Sequence, residues 1–203
     1  MINGIISHYQ IEYLLHFTKA DNIKSISKDG LQTRALLDLL GGFEYCDEYR
    51  LDGRRDGISL SVSFPNYRMF YKYRKEKKGT WCVIVLKPLI AENGNCLFFS
   101  ENAASSKWNR VEDSYLKSRD AFHDMFKEIL DKPTRKERKL LANLPTDPQS
   151  EIIHIGPISR EMILGIAFET DADNKAWEPN CSGIKSKVVN VLFKPRIDYA
   201  HWR

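Results

Sequence analysis

Glu151 stands where a stiff loop turns into an apolar run, in "NLPTDPQSEIIHIGPI" at residues 143–158. Pro145 and Pro148 restrict the backbone before it and lower the entropy of ordering the loop. A carboxylate held in this way can stabilise a developing positive charge or take a proton from a nucleophile. The plainer reading is a solvated charge at a strand end, where most carboxylates sit. Thr146, Asp147 and Gln149 offer short polar contacts to a substrate from the same loop. His154 is a further candidate on that side, in a pattern that also suits a core histidine. His16, in "YLLHFTKADN", ends an apolar stretch two residues before Thr18. It suits either a hydrogen-bonded core position or an imidazole offered to a ligand.

Positive charge is placed unevenly. The turn "GRRDG", residues 53–57, sets Arg54 and Arg55 between glycines. A guanidinium fork pairs two oxygens of a pyrophosphate at once, although exposed arginines are commonly only solvated. "YRMFYKYRKEKK" interleaves Tyr67, Phe70, Tyr71 and Tyr73 with Arg68, Lys72, Arg74 and Lys75. Cations along phosphates and rings under bases are what a single-stranded nucleic acid requires. A second cluster comprises Lys132, Arg135, Lys136, Arg138 and Lys139, just upstream of the Glu151 loop. A solvated helix face is the competing explanation for both.

The elements that must hold these groups are short. Ile58, Leu60 and Val62 alternate with Ser59, Ser61 and Ser63, so "GISLSVSF" predicts a strand with an apolar and a hydroxyl face. "TWCVIVLKP", "CLFFS", "EIIHI", "LGIAFE" and "VVNVLF" predict further strands. Asp21 and Gly30 bracket a short helix with Ile23 and Ile26 inward. "TRALLDLLGG" predicts a helix stopped by Gly41 and Gly42, and residues 43–57 a loop. Pro65 precedes a helix at "NYRMFYKYRKEKK". "SRDAFHDMFKEIL" predicts an amphipathic helix burying Phe122, Phe126, Ile129 and Leu130. Thr134 and Glu137 form a capping box that predicts a helix over "TRKERKLLANL". This mixed order indicates α+β rather than a doubly wound sheet.

The chain has 203 residues, 42% of them apolar, enough for one domain spanning 1–203 with a sizeable core. No run approaches a membrane span, and "MINGIISHYQ" lacks the basic start of a signal peptide. Cys46, Cys82, Cys96 and Cys181 are scattered, which suits a reduced cytoplasmic setting and offers no zinc spacing. Neither a P-loop nor a GxGxxG fingerprint is present.

Taken in order, "LLHFTKADNIKSISKDGL", "GRRDGISLSVSFPNYRMFY", "FHDMF" and "LPTDPQSEIIHIGPI" resemble the DarT family of DNA ADP-ribosyltransferases, toxins of toxin–antitoxin pairs. The resemblance spans about residues 16–166. It implies an ADP-ribosyltransferase-like core: a split, bent mixed β-sheet with an NAD-binding cleft and flanking helices. NAD is then the co-substrate, with no metal. His16 matches the histidine expected at the NAD ribose, with Thr18 and Asn22 in the same segment. Arg54 or Arg55 matches the arginine that reaches the phosphates, and Glu151 the catalytic glutamate. The arrangement is closer to H-Y-E than to R-S-E, with Tyr67 or the Ser59–Ser63 strand in the middle place. Residues 143–150 match the substrate loop, and Lys72, Arg74, Lys75, Lys136 and Lys139 are expected along single-stranded DNA. "SLSVSFPNY" is similar to the guanine-directed branch of a family that modifies guanine or thymine. The implied partner is a macrodomain antitoxin. Modification of RNA or protein, an inactive nucleic-acid-binding domain and a nuclease using Asp147 and Glu151 are the rival readings.

Overall fold

The alternation at Ile58, Leu60 and Val62 sends three apolar side chains to one face. In the computed structural model, which describes residues 4–40 and 53–202, that segment is strand β2 (Gly57–Val62). The other strands are β1 (Leu14–Lys19), β3 (Trp81–Leu86), β4 (Cys96–Phe99), β5 (Glu151–Ile155), β6 (Ile163–Phe168) and β7 (Ser186–Val188). Among the described residues they form one sheet in the order β4-β5-β2-β1-β3-β6-β7. Neighbours run antiparallel except β6 and β7, which are parallel, so the sheet is mixed.

The sheet divides in its middle. β1 pairs with β3 along its whole length, from Leu14 opposite Leu86 to Lys19 opposite Trp81. With β2 it pairs only at Leu14–Val62 and Leu15–Ser61. Beyond that point the strands part, and the sheet becomes two halves joined at a short seam.

Each face is covered by apolar packing. Ile58, Leu60, Ile84, Phe98 and Ile152 meet Ile23 and Ile26 of one helix (α2, Ile23–Asp29) and Phe122 of another (α6, Arg119–Asp124). Tyr9 of the chain after α1 (Ile5–His8) stacks on Phe126 beside them. Leu15, Val83 and Ala167 lie with Phe193 and with Phe70 of α4 (Tyr67–Glu76). A third cluster joins Leu97, Phe99 and Ile153 to Leu116 of α5 (Asp113–Leu116). Fully burying a phenylalanine such as Phe70 or Phe122 contributes roughly 1.5–3 kcal/mol. Helices α3 (Arg34–Leu40) and α7 (Asp171–Trp177) complete the set. Gly30 ends α2 at φ 77°, and a Cβ there would strike the Ile158 carbonyl, so the close Leu31–Ile158 bridge requires glycine.

Four expectations need correction. Residues 132–144 form turns instead of a helix, although Thr134 and Glu137 do make their reciprocal contacts. The Arg135 guanidinium gathers the Leu141 and Leu144 carbonyls at 2.9 and 2.8 Å, and Lys139 takes φ 57°, which no helix continues. Helix α6 stops at Asp124, short of the amphipathic pattern, because Thr146 N–H bonds the Met125 carbonyl at 2.8 Å; Leu130 is exposed. "VVNVLF" is a 3-10 turn (Asn190–Phe193) that buries Leu192 and Phe193 after the short β7. Asp21 does not cap α2; Asn22 holds that place, and its amide bonds Thr18 Oγ1 at 3.0 Å. Gly41, Gly42, Cys46 and most of the 43–57 loop lie outside the described residues.

Candidate active site

Glu151 opens β5 and is only 6% exposed. A carboxylate removed from water needs donors, and its contacts include two. Ser59 Oγ donates to Oε2 at 2.5 Å, and the Ala103 backbone N–H donates to Oε1 at 3.4 Å. The first contact follows from register: Ser59 lies opposite Ile153, so Glu151 is its diagonal neighbour on the same face. The alternation that sends Leu60 into the core therefore sends Ser59 to the carboxylate.

His16 sits where β1 and β2 part. Its Nδ1 lies 2.9 Å from the Ser59 carbonyl oxygen. A carbonyl only accepts, so Nδ1 carries the proton and Nε2 of the neutral ring has acceptor character. One residue, Ser59, thus ties the histidine through its backbone and the glutamate through its side chain. Thr18 and Asn22, bonded to each other, continue the same wall. Ser61 Oγ accepts from Asn66 N–H at 3.0 Å, and Asn66 Oδ1 caps α4 through Met69 N–H at 3.3 Å. The hydroxyl face of β2 therefore both lines the gap and anchors the next helix.

These groups surround a cavity of about 520 Å³ in the split of the sheet. His16, Thr18, Asn22, Ser59, Ser61, Gln149 and Glu151 line it, as does Lys72. Gln32, Arg34 and Asn102, which no sequence signal singled out, also line it, as do Arg68 and Tyr73, expected instead among the rings and cations along nucleic acid. Arg34, at the start of α3, carries no motif; the Leu31–Ile158 bridge and the Ala35 N–H bond to the Arg55 carbonyl hold its segment beside the cavity. Tyr73 was one tyrosine among several on α4, and the side that Phe70 buries decides which faces the gap. The volume is within the range of nucleotide-sized pockets. Cations at Arg34, Arg68 and Lys72, hydroxyl and amide groups, and one buried carboxylate suit a ligand with a phosphate centre and ribose hydroxyls. Among the described residues no group of three or more His, Cys, Asp or Glu is gathered as for a metal.

Several expected contacts are elsewhere. Arg54 forks onto Asp113 of α5 at 2.5 and 3.1 Å, and that hydrogen-bonded guanidinium holds the Asp113 carboxyl below its usual range. Arg55 pairs with Asp38. Neither lines the cavity, because a nearby carboxylate has taken each guanidinium. Tyr67 lines a separate cleft on another side of α4, with Tyr73 facing the gap instead. Arg74 is held by Glu169 and by the Phe193 carbonyl at 2.8 Å. Lys75, Lys136 and Lys139 are exposed and apart from the cavity lining. His154 is buried on the opposite face of β5, with Nδ1 on the Gly156 carbonyl at 3.0 Å and Nε2 near the Asn93 amide at 3.2 Å. Burial lowers its pKa.

The loop before Glu151 is pinned from behind. Thr146 is buried, and its carbonyl accepts from Arg196 at 3.0 Å and from Arg138 at 3.1 Å. Arg196 also reaches the Pro145 carbonyl at 2.7 Å, and Arg135 reaches Thr146 Oγ1 at 2.8 Å. Asp198 forks onto Arg196 at 2.6 and 2.9 Å and takes Trp202 Nε1 at 2.8 Å. Burial pushes the Asp198 carboxyl up, but its Arg196 bonds outweigh that and hold it low. Asp147 accepts from Gln149 N–H at 2.7 Å, and burial raises its pKa. Ser150 Oγ reaches the Ser100 carbonyl at 2.9 Å. Of this loop, Gln149 alone among the expected substrate contacts borders the cavity.

A family model described as DarT, ssDNA thymidine ADP-ribosyltransferase, matches residues 15–197. No curated protein matches the chain. The solved structure of Thermosipho africanus DarTG in complex with ADP-ribose is similar at TM-score 0.63 and 14% identity, over 90% of this chain and 51% of that one. This chain thus spans about half the length of that relative. Thermus sp. 2.9 DarT in complex with NAD+ is similar at TM-score 0.57 and 11% identity, over 91% of this chain and 98% of that one. The same Thermus protein in complex with ADP-ribosylated ssDNA gives TM-score 0.58 at 10% identity, over 91% and 97%. At such identities the likeness is one of fold.

Proposed function

The chain belongs to the DarT family of NAD-dependent ADP-ribosyltransferases of single-stranded DNA, and we propose that it performs this transfer in the split of its sheet, as one catalytic domain. The observation that carries the reading is Glu151, buried, held by Ser59 at 2.5 Å and bordering a cation-lined cavity. Arg34, Arg68 and Lys72 would face the pyrophosphate of NAD, and His16 Nε2 would accept from a ribose hydroxyl. In the reaction the bond from the ribose C1′ to the nicotinamide nitrogen breaks, and its electron pair leaves with nicotinamide. Positive charge grows at C1′, where a fixed carboxylate stabilises it without reorganising. A base nitrogen supplies the pair for the new bond, and its proton passes to Glu151. These nitrogens are weakly basic, so the stiff loop contributes mainly by placing the base.

Guanine is the proposed target, on the likeness of "SLSVSFPNY"; the matched family model is described by thymidine. The proposed partner is a macrodomain-type antitoxin, whose co-expression should restore growth to a host producing the chain. The deciding experiment incubates the protein with NAD and oligonucleotides whose only variable base is one guanine or one thymine. The expected product is one added ADP-ribose, read by mass, on the guanine strand. Addition on thymine alone would correct the base. Modification of RNA or protein with none on DNA would overturn the reading.

A further inference from the structure

Helix α4 separates two spaces. Arg68, Met69, Lys72 and Tyr73 line the active-site cavity, whereas Tyr67, Phe70 and Tyr71 line a second cleft of about 280 Å³. At about 100° per residue these sets occupy adjoining sides of the helix, and Arg68, on the ridge between them, borders both. The far wall of the cleft comes from the end of the 190–193 turn and the chain after it: Phe193, Lys194 and Tyr199. Tyr71 is 63% exposed and Tyr199 43% exposed, so two large rings stand in water beside two cations.

We propose that this cleft is a subsite for a nucleotide flanking the modified one, its base stacked on Tyr71 and Tyr199 and its phosphate held by Arg68 and Lys194. The inference rests on the function proposed above. Rings with adjacent cations are the chemistry that grips a single strand without reading its sequence. Continuity through Arg68 supplies the geometry: a strand with one base at the cavity mouth has its neighbour within reach of the cleft.

The test places 2-aminopurine beside the target base of an oligonucleotide and follows its fluorescence. Stacking in the cleft quenches it on binding to the wild-type protein. Tyr71→Ala and Tyr199→Ala each remove the quench and raise the oligonucleotide KM about tenfold, in line with the worth of base–aromatic stacking. Tyr71→Phe and Tyr199→Phe retain both, since the ring acts and not the hydroxyl. The NAD Kd, measured by calorimetry on each variant, stays at the wild-type value and shows that the fold is kept. Alanine variants with wild-type KM and quench, on a protein that modifies the strand, would overturn the subsite alone. So would equal losses in the alanine and phenylalanine variants. A wild-type protein that neither binds nor modifies DNA would overturn the subsite together with the function.

Discussion

Ser59 is the residue on which the site turns, because its carbonyl fixes His16 and its hydroxyl fixes Glu151. Glu151→Gln keeps the size of the side chain and removes its charge. The expected outcome is a fall in the transfer rate of about 10²–10⁴ with an unchanged melting temperature, followed by mass analysis of the oligonucleotide product. Ser59→Ala leaves the carboxylate and its charge in place with one donor fewer, so its rate loss is the smaller of the two. A larger loss in Ser59→Ala would mean that the charge is not what matters. The arginines separate in the same way. Arg34 borders the cavity, while Arg54 and Arg55 lie outside its lining. Arg34→Ala should therefore weaken NAD binding by about 2–5 kcal/mol, the cost of leaving a phosphate charge unpaired. Arg54→Ala and Arg55→Ala should change it by much less. Calorimetric titration with NAD distinguishes them, and the reverse order would place the pyrophosphate elsewhere.

The 143–150 loop owes its shape to side chains far from it in sequence. Asp198 is 1% exposed and Arg196 2% exposed, and Arg138 approaches Asp198 at 3.5 Å. Asp198→Ala leaves buried guanidinium charge without its counter-ion, which costs about 3–5 kcal/mol and should show as a shifted denaturant midpoint. An unshifted midpoint would mean that water reaches the cluster. This is also where sequence reading reached its limit. Proline spacing showed that the loop was stiff, and period-two alternation showed which β2 hydroxyls shared a face, because both are local properties. Arg135 and Arg138 fall in a basic cluster that suits either nucleic acid or solvent, since residue type alone does not disclose the carbonyls of residues 141–146 that they serve. Arg196 drew no notice for the same reason: the Pro145 and Thr146 carbonyls it serves lie about fifty positions upstream. Arg74 was expected on DNA, but its partner Glu169 lies 95 positions downstream, just past the end of β6. Local rules located Glu151 and its loop, and long-range pairing decided where Arg74, Arg135 and Arg138 were held.

Across the whole molecule, acid should loosen the fold through two of its histidines, His154 and His123. His154 has Nδ1–H bonded to a carbonyl and Nε2 facing an amide donor, so its neutral ring is satisfied and its charged ring is not. Burial lowers the pKa of His154, and burial with the nearby Arg119 charge lowers that of His123. The unfolded chain thus takes up these protons first. Their contribution to stability is full above about pH 6.5 and is lost as pH falls through the depressed folded values. Melting temperatures measured across that window should fall, and His154→Gln should flatten part of the fall; an unaltered slope would clear His154. The short β1–β2 seam has a consequence of another kind. Past Leu15 and Ser61 no ladder bonds join the half-sheets, so solvent, side chains or a guest must serve the backbone edges there. Deuterium should accordingly enter peptides covering 14–19 and 57–62 faster than those covering 81–86. Saturating NAD should slow the first two and leave the third alone, so that isotope uptake records occupancy of the gap with no chemistry taking place.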